Sequence, residues 1–172
     1  MNDEAEHMKA KEESSQLSAL IAGHPFFREL APQHVQLLAD AAMLKEFKSD
    51  EVIFKEGDPA NRFYILLSGE VEIMSEGRDG AAVPVQRIGT GDVLGWSWLF
   101  PPYYWNFAAR ATQNTRAIFF YGTWLRESCE RDHDFGFAML KRMSAIVIQR
   151  LQAARKRLVE VESKFLRAAS GN

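Results

Sequence analysis

The segment IFKEGDPANRFYILLSGEVEIM, residues 53–74, carries the clearest structural signal in this sequence. Short apolar runs alternate with turn-forming residues, and in GEVEIM (69–74) valine and isoleucine alternate with glutamates, as in a strand with one buried face. Gly57 and Gly69 separate the runs, at points where a tight turn needs a positive φ angle. The segment therefore predicts short strands joined by tight turns.

The same pattern extends outward from this segment, from about residue 45 to residue 121. Apolar runs of four to seven residues recur there, and turn-forming sequences such as GTGD separate them. Many short strands at this spacing favour an antiparallel β-roll or jelly roll. The predicted strands are 51–54, 63–67, 70–74, 84–88, 107–111 and 115–121.

Helical patterns flank the predicted strands on both sides. A short helix is predicted over 16–22, and a second begins at Pro32, because proline suits a first helical turn. Residues 123–132 predict another short helix, and 134–168 predict one long helix without proline. The fold class is therefore mainly β with flanking helices: a β-roll, N-terminal helices and a long C-terminal helix.

This organisation divides the chain into three parts. Residues 1–14 are polar and are expected to be disordered or frayed. Residues 15–132 are predicted to form the β-roll sensor domain together with its N-terminal helices. Residues 133–168 are predicted to form a long dimerisation helix.

The predicted long helix carries an apolar seam whose members recur at alternating steps of three and four residues. The helix could fold back on its own domain, but a seam this long favours parallel pairing with a second copy. The predicted dimer interface comprises Leu140, Ser144, Val147, Leu151, Ala154, Leu158 and Val161. We therefore expect a homodimer.

The predicted order of elements is N-terminal helices, a β-roll, a short helix and a long helix. This order and the segment 53–74 resemble the cyclic-nucleotide-binding domain family in its catabolite-activator/FNR branch. The segment IGTGDVLGW (88–96) is similar to the stretch that leads into the phosphate-binding cassette of that family. The resemblance covers roughly residues 20–165. It implies a cyclic-nucleotide-binding-domain fold and a regulatory module that senses a small molecule.

The cassette departs from the family pattern at both of its polar anchors. Gly95 matches the family glycine, but the glutamate position holds Trp96, and the arginine position, ten residues after the glycine, holds Trp105. Between Arg87 and Arg110 the sequence has no arginine, lysine, histidine or glutamate. The resemblance therefore implies that cyclic AMP is not bound in the usual way, since the site lacks the arginine that would pair with the phosphate.

Two interpretations of this tryptophan-rich stretch remain open. The rings either occupy the space of a nucleotide or line a pocket for a different, unidentified small molecule. The second interpretation is favoured, and its ligand-binding residues are Gly95, Trp96, Ser97, Trp98, Trp105, Asn106 and Phe107.

In the favoured interpretation the module signals through its C-terminal helix to an unknown protein partner. The alternative is a ligand-free interaction scaffold that displays the PPYYW loop (101–105). Arg110 is expected on a solvated face, with contact to an anion as the less favoured alternative.

The sequence does not nominate a catalytic or metal site. A single cysteine, Cys129, excludes an internal disulfide and a thiolate cluster. All four histidines lie outside the predicted strands, where a metal site in a β-barrel would need them; they are His7, His24, His34 and His133. We therefore expect no enzyme activity, no metal and no cofactor.

The remaining expectations concern location and partners. The N-terminus has no apolar signal core, and no run is long enough to cross a bilayer, so a cytoplasmic protein without membrane association is expected. Five residues follow Arg167, too few for a DNA-binding module, so sequence-specific DNA binding is not expected. The basic stretch 150–158 is interpreted as the solvated flank of the long helix.

Overall fold

The computed structural model describes residues 2–77 and 79–170, which form two four-stranded sheets flanked by helices. In chain order the helices and strands are α1 (Asn2–Gly23), a 3₁₀ helix (Pro25–Phe27), α2 (Pro32–Ala41), β1 (Met43–Phe47), β2 (Val52–Phe54), β3 (Arg62–Ser68), β4 (Glu70–Glu76), β5 (Ala82–Gly89), β6 (Val93–Leu94), a second 3₁₀ helix (Trp96–Leu99), β7 (Ala108–Ala111), β8 (Thr115–Tyr121), α3 (Gly122–Arg131) and α4 (His133–Ser170).

The two sheets are antiparallel and have the strand orders β1-β8-β3-β6 and β2-β7-β4-β5. Their facing side chains form one apolar cluster, which includes Leu66, Val71 and Ala117. A second cluster joins the outer face of the first sheet to the helices, through residues such as Phe63 and Ile118. The predicted mainly β roll with flanking helices is therefore confirmed.

Two strands, β1 and β6, do not follow from the sequence pattern. Only Phe47 of β1 is buried, so β1 lacks the alternation that marks a half-buried strand, and its first residues resemble the end of α2. Strand β6 has two residues. Both are held by pairing to a longer strand, β1 to β8 and β6 to β3, and this pairing depends on the backbone more than on side-chain type.

Helix α1 is much longer than the predicted helix at 16–22, and from Asn2 it covers the stretch that was expected to be disordered or frayed. Alanine, glutamate, lysine and methionine dominate this stretch, and all are strong helix formers, which accounts for the difference. Met1 lies outside the described residues. Among the α1 side chains that the structure describes, Leu17 and Ile21 enter the core.

Helix α4 begins at a cap that also contacts α2. The backbone N–H of Phe135 donates to Oδ1 of Asp132 (3.0 Å), and Oδ2 of Asp132 lies 2.9 Å from Nε2 of His34. These two bonds hold the pKa of Asp132 below its ordinary value, the Phe135 bond more than the His34 bond. Met139 and Met143 follow Phe135 on the same helix face, and all three side chains are fully buried.

From Arg142 onward the contacts between α4 and the rest of the chain include polar ones. Arg142 donates to the carbonyl oxygen of Arg28 (2.7 Å), Arg150 to that of Val93, and Arg157 to that of Val85 (2.6 Å). One face of α4 therefore lies on its own domain. Six residues of the predicted seam are nevertheless exposed, namely Leu140, Ser144, Leu151, Ala154, Leu158 and Val161, although Leu151 and Ala154 also border a space between α4 and the sheet.

Candidate ligand site

The site begins at the turn that leads from β6 into the second 3₁₀ helix. Gly95 makes this turn with a φ angle of +89°, which favours glycine because it has no Cβ. A Cβ at this position would lie 2.7 Å from Cη2 of Trp105. The glycine therefore allows both the turn and the close approach of the indole ring.

Trp105 is packed against this turn and is 5% exposed. Its indole ring stacks on the phenyl ring of Phe54, with 3.9 Å between the ring centroids and 12° between the planes. Two backbone bonds fix the residue: its N–H donates to the carbonyl of Asp58, and its carbonyl accepts from the N–H of Gly57, both at 2.9 Å. The ring thus occupies the space directly beside the cassette glycine.

The space left beside Trp105, called here the cassette cavity, has a volume of about 20 Å³. A volume of this size holds roughly one water molecule. The structure brings six of the seven predicted ligand-binding residues to this cavity. Its lining residues are Phe54, Ile73, Leu94, Gly95, Trp96, Ser97, Trp105, Asn106, Phe107 and Arg150.

Trp98, the seventh predicted residue, lies in the core instead. It is fully buried, its ring centroid is 5.9 Å from that of Phe63, and its Cβ lies against Gly122 at the start of α3. The turn geometry explains the difference, because alternate residues of a 3₁₀ helix point to different sides. Ser97 remains at the cavity, where its Oγ accepts from Nδ2 of Asn106 at 3.4 Å.

A second cavity, called here the helix groove, lies between the sheet and α4 and has a volume of about 270 Å³. Trp96 and Phe107 line both this groove and the cassette cavity, so the two spaces are adjacent. For comparison, a cavity of roughly 150 Å³ is large enough for benzene. The groove is lined by Ile73, Val85, Gln86, Trp96, Phe107, Val147, Arg150, Leu151 and Ala154.

Arg150 lines both cavities, although the sequence pattern assigned it to a solvated helix flank. That assignment is wrong, because its side chain is partly buried and its Nη2 donates to the carbonyl oxygen of Val93. Burial lowers the pKa of the guanidinium, and the negative charge of Asp92 opposes that shift. The available signal was helical spacing, since Arg150 follows the buried Met143 by seven residues, which is two turns of α4.

Arg110 belongs to an ion-pair network within the second sheet. Its Nη2 donates to Oε2 of Glu72 at 3.1 Å, and Nε of Arg87 donates to Oε1 of the same carboxylate at 3.2 Å. The Glu72 side chain is 5% exposed, against 40% for Arg110. The expected solvated face is therefore partly covered, and Arg110 lines neither of the two cavities described above.

The remaining chemical groups add no second site of this kind. Burial raises the pKa of the Cys129 thiol to about 11, and the nearby acids Glu130 and Asp132 add to the shift. Within residues 2–77 and 79–170, no group of three or more histidine, cysteine or acidic residues is placed to hold a metal ion. No helix in the same part of the chain is long and apolar enough to span a membrane.

Comparison with known proteins gives matches along most of the chain. A segment of 71 residues matches a cAMP-dependent protein kinase regulatory subunit of Emericella nidulans at 39% identity, which covers 41% of this chain and 16% of that protein. A CRP-like cAMP-activated global transcriptional regulator of Mycobacterium tuberculosis matches at 26% identity over 102 residues, which are 59% of this chain and 46% of that protein. The chain thus spans less than half the length of these two curated relatives.

A solved structure matches over a larger share. The structure of a putative cyclic nucleotide-binding protein from Geobacter metallireducens GS-15 superposes with a TM-score of 0.69 and 29% identity, covering 80% of this chain and 97% of that one. The family model described as the cyclic nucleotide-binding domain matches residues 44–132, which contain all eight strands except the first residue of β1. This chain therefore belongs to the cyclic nucleotide-binding domain family.

Proposed function

We propose that this chain is a regulatory small-molecule sensor whose ligand binds in the helix groove and carries no cyclic phosphate. Binding there changes the position of α4, and α4 transmits the change to a protein partner. The relatives named for cAMP share the fold, whereas this chain has tryptophan at both positions that anchor the nucleotide in the family.

The observation that carries the proposal is the difference between the two adjacent cavities. The space beside Gly95 holds about one water molecule, since Trp105 fills it, whereas the groove next to it has about 270 Å³ between apolar side chains. That volume suits a ligand of one or two rings. A phosphate beside the cassette glycine would have neither space nor the family arginine.

The position of the groove supports a link between binding and α4. Ile73 and Val85 come from the sheet and Phe107 from the segment before β7, while Val147 and Leu151 come from the helix. A ligand that contacts both the sheet and α4 stabilises the position of α4 in which both contacts are made, relative to other positions of the helix. Such a differential interaction is what a ligand needs in order to shift a conformational equilibrium.

The test is a panel of metabolites that includes cyclic AMP and cyclic GMP, followed by tryptophan fluorescence and thermal stabilisation. We expect a flat apolar compound to stabilise the protein and to change the emission of Trp96, which is in the groove wall. Ala154→Phe, which places a ring in the groove, should abolish the response. Ala145→Phe is the matched control, because Ala145 is exposed on α4 and does not line the groove.

A panel without any response, or a response that survives in Ala154→Phe, would overturn the sensor proposal. The second candidate function is then favoured, a ligand-free scaffold that displays the PPYYW loop. Tyr103 and Tyr104 are exposed in that loop, and the Tyr103 ring is held 4.3 Å from the Arg126 guanidinium. This candidate predicts that partner binding fails in Tyr104→Ala and is unchanged in Ala154→Phe, as measured with the purified partner.

A further inference from the structure

Arg150 presents an incompletely satisfied positive charge to the helix groove. Its guanidinium has five N–H donors, and one bond, to the Val93 carbonyl oxygen, is formed. Among the described residues no carboxylate forms an ion pair with it: Asp92, whose charge is near enough to act on it, accepts instead from the backbone N–H of Gly89 at 2.8 Å. The remaining donors are therefore available to a ligand.

The surroundings of this charge are apolar. A guanidinium stays protonated even when burial lowers its pKa, so the groove holds one net positive charge in a partly desolvated place. An unpaired charge there is costly, and an anion that binds it recovers part of that cost. The side chains facing the same space are Trp96, Phe107, Val147, Leu151 and Ala154.

We infer that the ligand of the helix groove is a flat apolar acid, with its ring system between these side chains and its carboxylate on Arg150. This inference rests on the proposed function and names the ligand class for it. A carboxylate is planar and accepts two parallel N–H bonds from one guanidinium, so a single arginine is enough to bind it. A phosphate monoester would bring a second negative charge into apolar surroundings without a second cation.

The same contact couples the ligand to α4. Nη2 of Arg150 is bonded to Val93, which lies in β6 immediately before the cassette turn. A carboxylate that engages this guanidinium exchanges or shares that bond, so it changes how α4 is attached to the turn at Gly95. Arg157, which lies two helical turns further along α4, keeps its bond to Val85 and does not line the groove.

The experiment compares 1-naphthoate with 1-naphthamide, which have the same rings and nearly the same shape but differ in charge. Titration calorimetry of the full chain should show the acid binding about tenfold more tightly or better, because hydrogen bonds to a charged group are stronger by roughly 1.4 kcal/mol. Arg150→Gln should remove that preference, while Arg157→Gln, the matched control, should keep it.

Equal binding of acid and amide by the wild type, or a preference that persists in Arg150→Gln, would overturn the inference. If Arg150→Gln does not fold, Arg150→Lys replaces it; this variant should keep the preference at lower affinity, because an ammonium does not form the two-bond fork. Amide binding that Ala154→Phe abolishes would support the groove while the carboxylate inference fails. Binding of neither probe overturns the carboxylate inference, and the metabolite panel then decides the proposed function separately.

Discussion

The indole ring of Trp105 lies on the phenyl ring of Phe54 at a centroid distance of 3.9 Å, and its outer edge closes over Gly95. Two strand regions, β2 and the segment before β7, are thereby joined beside the turn at Gly95. The aromatic pair fills the space next to that turn. Removing this pair should therefore lower the free energy of unfolding.

Trp105→Ala should lower the free energy of unfolding by about 3–5 kcal/mol, the usual cost of deleting a large buried aromatic side chain. Denaturant unfolding followed by circular dichroism measures this directly. Tyr104→Ala is the control, because that neighbouring ring is half exposed and should cost far less. Equal losses in the two variants would show that Trp105 does not support the cassette.

Gly95→Ala should destabilise the protein more than Gly57→Ala does. Both glycines have a positive φ near +85° to +89°, so both substitutions carry the left-handed backbone cost of roughly 1–2 kcal/mol. A methyl group at residue 57 meets nothing within 4 Å, whereas at residue 95 it meets Trp105 at 2.7 Å. The excess should shrink in Gly95→Ala combined with Trp105→Leu, and an excess that persists there would refute the steric explanation.

Stability should fall as the pH is lowered through the histidine range, because of His24. Burial lowers the pKa of this imidazole, with Asp92 opposing the shift, and Nδ1 accepts a bond from the N–H of Phe26 at 3.2 Å. The unfolded chain therefore binds a proton more readily than the folded chain, so stability is lost as pH falls below about 6.5 and continues to fall until the folded group is protonated.

Urea unfolding at pH 7.5, 6.5 and 5.5 measures the dependence on His24. His24→Asn keeps an acceptor for the Phe26 N–H and should show a flatter pH dependence than the wild type. His133→Asn, at an exposed position, should leave the slope unchanged. A wild-type slope that persists in His24→Asn would assign the effect to another group.

Leu158→Glu should convert the expected homodimer into a monomer. Leu158 is 59% exposed on the predicted seam of α4, where pairing with a second copy would bury it. Val159→Glu is the matched control, since Val159 is similarly exposed at 55% but faces about 100° away around the helix. Sedimentation equilibrium at tens of micromolar separates the species, and a wild-type monomer would rule out the seam as an interface.

Cys129 should react slowly with iodoacetamide while the protein is folded. With a pKa of about 11, about one thiol in a thousand is ionised at pH 8, and the thiolate is the reactive form. In urea the pKa returns to roughly 8.5, so the rate at pH 8 should rise by about two orders of magnitude. Mass spectrometry of the alkylated chain follows both rates, and equal rates would contradict the buried thiol.

The sequence allowed most of the roll to be predicted because local patterns encode it. The alternation around Val71 and the turn glycines at 57 and 69 depend on neighbouring residues only, and the strands there agree with the prediction. Trp105, ten residues after Gly95 in the sequence, lines the same cavity as that glycine, while its match to the arginine position of the family stays a prediction. By contrast, β1 exists because β8 lies beside it, and no local pattern records that neighbour.

The part of the site that could not be predicted joins distant segments. Arg150 meets Val93 across 57 positions of the chain, and its neighbours in the sequence are like those of Arg155 and Arg157, so the spacing from Met143 is a signal only once Met143 is known to be buried. Trp98 shows the opposite error, since closeness to the cassette in sequence suggested a ligand contact while the 3₁₀ helix turns the ring into the core. Both outcomes depend on packing between helices and sheets.

Three arginines of α4, Arg142, Arg150 and Arg157, bond to main-chain oxygens of residues 28, 93 and 85, and not to side chains of the rest of the chain. Every amino acid supplies such an oxygen, so these three positions can change identity without breaking the bond, provided that the backbone keeps its course. For these three bonds, therefore, the identity of the side chain matters on the helix alone. Over evolutionary time the roll surface is free to diversify, while replacing any of the three arginines loosens the attachment.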